Sequence, residues 1–115
     1  MTDYGKIYKH PDFTLNMVSS MLIVNAVIKI KPGTEKEFLE KVQPLLKASR
    51  NDEGCISYGL YKSAEEENSF MMIEQWTSPE MLDKHTKEPH FIKFGEDAGP
   101  LMAAPLDIQT YPVAE

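Results

Sequence analysis

Residues 55–85 read CISYGLYK, SAEEEN, SFMMIEQWT, SPEMLDKH, and this stretch decides the fold. In Cys55 to Lys62, the residues Tyr58, Leu60 and Tyr61 favour a strand. Ser63 to Asn68 is a charged, solvated turn, and Ser69 to Thr77 is a second strand, so the pair reads as a hairpin. Ser78-Pro79-Glu80 then opens a helix: a capping hydroxyl, a proline at the first position and an acid in the first turn. The local order is strand, strand, helix.

Upstream, Met21 to Ile30 reads MLIVNAVIKI, a β-branched run too short to cross a membrane and expected as a strand. Lys31-Pro32-Gly33 ends it. Thr34 and Glu37 have the spacing of a capping box. Phe38, Leu39, Val42, Leu45 and Leu46 then mark one helical face, with a kink expected at Pro44, an end near Arg50 and Gly54 closing the connection. Downstream, Pro89 interrupts the helix begun at Ser78, and a second piece carries Phe91, Ile92 and Phe94. Leu106 to Tyr111 alternates as a last strand. The order β-α-β-β-α-β predicts an α+β, ferredoxin-like fold on a four-stranded antiparallel sheet. Residues 1–20 are mixed, without clean periodicity, and are expected as an N-terminal extension to a domain at 21–115.

A chain of 115 residues fits one domain, and its net charge of −6 supplies no basic surface for phosphate backbones or anionic lipid. Neither a nucleic-acid nor a membrane partner is expected. The single cysteine, Cys55, precludes an internal disulfide and suits the cytoplasm. It reads as a small buried apolar residue rather than a reactive thiol.

The strands are apolar on both sides. In the first, Leu22, Val24, Ala26, Ile28 and Ile30 oppose Ile23 and Val27; in the third, Phe70 and Met72 oppose Met71 and Ile73. Two helices cover one face of a sheet, so a second copy is expected over the other, giving a homodimer; the alternative cover is the N-terminal extension.

Chemistry-bearing residues concentrate between Glu74 and Phe91. Glu74 and Trp76 share a strand face with Met72 and Phe70. A carboxylate there is costly unless paired and is expected as a structural group, whereas the Trp76 ring can wall a pocket and aim one donor. His85 and His90 are the candidate proton acceptors. They stand five apart across Pro89, not at the i, i+4 spacing of a helical zinc pair, so no metal site is expected. No phosphate loop, dinucleotide fingerprint or nucleophile elbow occurs.

At these residues the sequence resembles a known family. The run Arg50-x-x-Glu53-Gly54-Cys55-x-x-Tyr58, then Glu74-x-Trp76, then His85 with His90-Phe91, resembles the antibiotic biosynthesis monooxygenase domain of the dimeric α/β-barrel superfamily. The likeness covers about residues 21–113. It implies a dimer whose sheets form a barrel, a pocket between sheet and helices, and oxygenation of a small quinol-like aromatic by dioxygen with no cofactor. On that resemblance Trp76 and Asn25 would orient the substrate and stabilise oxyanion charge, His85 or His90 would take its proton, and Tyr58, Met72 and Phe91 would line the pocket. One branch of the family degrades haem with an asparagine, a tryptophan and a histidine, for which Asn25, Trp76 and His85 are the counterparts. Asn25, however, alternates away from Val24 and Ala26, which would turn it from the pocket. A non-catalytic dimeric small-molecule or stress-response protein is the third reading.

Overall fold

The computed structural model describes residues 21–113; the expected extension over residues 1–20 lies outside them. Strand β1 (Leu22–Lys29) is followed by helix α1 (Glu35–Ser49), the hairpin strands β2 (Cys55–Lys62) and β3 (Ser69–Trp76), helices α2 (Pro79–His85) and α3 (Pro89–Ala98), a short 3-10 turn and strand β4 (Asp107–Pro112). All pairings are antiparallel, in the order β2-β3-β1-β4. This is the ferredoxin-like α+β fold.

The alternation in the sequence carries directly into burial. Val24, Ala26 and Ile28 of β1, with Phe70, Met72 and Trp76 of β3, are buried beneath the helices, while Ile23, Val27, Met71 and Ile73 are half-buried on the other face. Helix α1 contributes Phe38, Val42, Leu45 and Leu46, and Phe94 of α3 completes the core. The ring of Phe38 lies 5.0 Å from that of Phe70 and 6.3 Å from that of Phe94.

Helix α2 starts as its sequence dictates. Ser78 is extended, and its hydroxyl accepts from the Met81 amide at 3.4 Å. Helix α1 starts differently. Thr34 has φ −108° and ψ 5°, outside the extended region a capping box requires. Its hydroxyl donates instead to the Lys31 carbonyl at 2.6 Å. The helix runs through Pro44 on its exposed side without breaking.

Candidate functional site

The site forms where β2 and β3 meet the break between α2 and α3. The residue before a proline disfavours helix, so the chain turns at Glu88, which is extended ahead of Pro89. His85 thereby ends one helix and His90 begins the next. Both rings converge on Asp52, in the loop between α1 and β2. His85 donates from Nδ1 to Asp52 Oδ2 at 2.7 Å, and His90 donates from Nε2 to the same oxygen at 2.8 Å. The expectation of no metal site rested on the missing i, i+4 spacing; the turn at Pro89 instead brings His85 and His90 together on Asp52.

His85 is buried, at 2% exposure. Its ring lies 4.7 Å from that of Trp76, 5.1 Å from Phe91 and 5.3 Å from Tyr58. Burial pulls its pKa below the ordinary imidazole value, against the opposing pull of Asp52. Asp52 holds a proton on Nδ1, which leaves the Nε2 lone pair facing the Tyr58 hydroxyl at 3.5 Å. That distance is longer than a good hydrogen bond and leaves Nε2 available to another donor. Burial, with the Glu74 carboxyl second, raises the Tyr58 hydroxyl pKa, so this phenol stays protonated.

A cavity of about 80 Å³ runs between the sheet and the helices. Met72, Tyr58, Glu74, His85 and Phe91 line it, and Ile108 of β4, 51% exposed, stands at its outer edge. Of the expected pocket residues, Tyr58, Met72 and Phe91 all reach it.

The other expectations divide. Trp76 is fully buried and walls the site only from behind His85; its indole N–H donates to Glu74 Oε1 at 2.9 Å. His90 is not among the cavity-lining residues and meets the site through Asp52. Asn25 pairs across the sheet with Ile73 and Gln109 and points to the face away from the cavity, so the orienting role expected of it has no geometry here. The asparagine, tryptophan and histidine of the haem-degrading pattern therefore do not converge. Cys55 is half-buried rather than buried.

Two site residues escape the sequence reading. Glu74 was expected as a purely structural carboxylate, yet it lines the cavity, and burial pushes its pKa up to about 7 despite the indole donor. Its signal was present: one carboxylate on an otherwise apolar strand face. Asp52 left no signal, since nothing in the sequence connects it with histidines 33 and 38 positions away.

With this geometry in hand, the relatives can be placed. A sequence profile described as antibiotic biosynthesis monooxygenase matches residues 21–97. The chain belongs to the antibiotic biosynthesis monooxygenase family. Within that family, it is 38% identical over 88 residues to "Putative monooxygenase YcnE" of Bacillus subtilis, a match spanning 76% of this chain and 93% of YcnE. It is also 38% identical over 94 residues to the uncharacterized Synechocystis protein sll1783, spanning 82% of this chain but only 64% of that longer protein. Among solved structures, a "putative antibiotic biosynthesis monooxygenase" of Caulobacter crescentus CB15 superposes with a TM-score of 0.79 at 27% identity, covering 89% of this chain and 97% of the other. Rv0793 of Mycobacterium tuberculosis superposes with a TM-score of 0.76 at 26% identity, covering 84% and 98%. Among the described residues, no helix of this family member is long and apolar enough to cross a membrane.

Proposed function

We propose that this family member is a cofactor-independent monooxygenase that oxidises a small, single-ring quinol-like substrate in the cavity beside His85. One observation carries the reading: a buried imidazole fixed by Asp52 on one nitrogen presents its other nitrogen at an apolar cavity. That arrangement suits proton abstraction from a bound hydroxyl, because the orienting carboxylate sets the tautomer and stabilises the imidazolium that forms. The resulting aromatic anion is electron-rich and reacts with dioxygen. For a simple hydroquinone the balance is hydroquinone plus dioxygen to hydroxyquinone plus water. One oxygen atom enters the ring, the other leaves as water, and the substrate supplies four electrons. Glu74, the carboxyl group lining the cavity, can return a proton to the departing oxygen. Met72 and Phe91 exclude water from the intermediate.

Size supports a small substrate. The cavity, at about 80 Å³, is roughly half the ~150 Å³ that admits benzene in an apolar protein cavity. A ring must therefore seat toward the edge at Ile108, displacing that exposed side chain outward. The same figure favours a second reading, a binder of smaller ligands without oxygenase chemistry. An oxygen electrode separates them: with single-ring quinols and no added flavin, haem or metal, the oxygenase consumes one dioxygen per quinol. No uptake above the uncatalysed rate across such a series would refute the oxygenase.

We further infer a homodimer. Met71 and Ile73 are only half-buried on the sheet face opposite the helices, and Tyr61 is 57% exposed, so a second sheet would cover apolar surface there. A cytoplasmic site of action fits a chain with one cysteine.

A further inference from the structure

We propose that Asp52, His85 and His90 form a binding site for a divalent transition-metal ion of the zinc class, held by one carboxylate oxygen and two imidazole nitrogens. The three ligand atoms lie within 4.8 Å of one another. Tetrahedral bonds of about 2.0–2.1 Å space donor atoms roughly 3.3 Å apart. The present separations from Asp52 Oδ2, 2.7 Å to His85 and 2.8 Å to His90, open by about half an ångström on binding, and the two nitrogens, within 4.8 Å of each other, take the same spacing through side-chain rotation. Two nitrogens and one oxygen select zinc, cobalt, nickel or copper over magnesium and calcium, which prefer all-oxygen shells.

Burial suits an ion sunk at the surface. The His85 side chain is 1% exposed, Asp52 12% and His90 19%, so the open coordination position falls on the solvent side and takes water. The proton balance also works without loss of charge. The metal takes the Nδ1 lone pair of His85, whose proton moves to Nε2 and faces the Tyr58 oxygen, 3.5 Å away. His90 binds through Nε2, whose proton moves to Nδ1. Both imidazoles stay neutral, and Tyr58 becomes the outer partner that a metal-bound imidazole requires. Occupancy would also place a proton on the nitrogen that faces the cavity, making the ion an inhibitor. That consequence rests on the oxygenase reading, whereas the binding itself does not.

The test uses the full chain, stripped of metal and titrated with cobalt(II) while the visible spectrum is recorded. The expected result is saturation at one cobalt per chain with the intense bands of a tetrahedral centre, reversed by zinc. His90→Ala should weaken binding by more than about tenfold, and His10→Ala, which alters the one other histidine, should leave it unchanged. Nitrogen-15 spectra of the wild-type imidazoles, read on adding zinc, make the test independent of any variant's folding: resonances of both His85 and His90 should shift. Non-saturable binding, full binding by folded His90→Ala, loss of binding in His10→Ala, or an unmoved His85 resonance would each overturn the site.

Discussion

A carboxyl group set beside Val24, Met72 and Tyr58 ionises at a cost, and Glu74 sits there with its pKa pushed up to about 7 by burial. Its folded pKa lies above the ordinary 4.5, so the protein is favoured while Glu74 is protonated. Stability from this group is fully present below pH 4.5 and is lost as the pH rises through about 7. The span corresponds to on the order of 3 kcal/mol between its two limits. Glu74→Gln keeps an acceptor for the Trp76 indole and cannot ionise, so thermal melts between pH 5 and 8 should show a flatter pH dependence than the wild type. Cys55 is a second residue whose environment sets its behaviour. Burial, then the nearby Asp52 and Glu74 carboxylates, push its thiol up to about 11. At pH 8 its thiolate is about one part in a thousand, so labelling with a disulfide reagent should be about a hundredfold slower than for a free thiol. An equal rate would show that the thiol is not so raised.

Loop and helix act together through Gly54. Its φ is +82°, and a Cβ there would lie 2.5 Å from Met81 Cβ and 2.2 Å from its Cγ, so α2 itself must shift to make room. Gly33 has nearly the same φ, +81°, but open space around it. Gly33→Ala should therefore cost about 1–2 kcal/mol from the left-handed backbone alone. Gly54→Ala should cost more, and should reduce activity as well by moving the helix that ends in His85; denaturant titrations of both variants check the difference. The elements themselves were legible in the sequence, because strand alternation and the Ser78-Pro79 start are local properties. Thr34 departed because a capping box also needs an extended backbone, which spacing does not specify. The site was half legible for a similar reason. Tyr58, Met72 and Phe91 were expected on the family resemblance, whereas Asp52 meets His85 only through the tertiary path of the chain. Asn25 shows the converse: its strand parity, readable from the start, placed it away from the cavity.

At the scale of the whole molecule, one sheet face is packed by helices and the other is left half-buried, with Tyr61 exposed on β2. Light scattering should return twice the 13.1 kDa chain mass, and Ile73→Lys, on the open face, should shift it toward the monomer. A wild-type monomer at micromolar concentration would refute the paired sheets. The cavity belongs to the packed face, and the groups proposed to carry its chemistry lie within one chain: His85, oriented by Asp52, against Tyr58 and Phe91. The decisive measurement is single-turnover oxidation of a bound single-ring quinol by the wild type and by folded His85→Gln, with quinol binding measured separately. The account predicts that the rate falls by about a hundredfold or more in the variant while quinol binding changes little. A variant that turns over its quinol at the wild-type rate would contradict it.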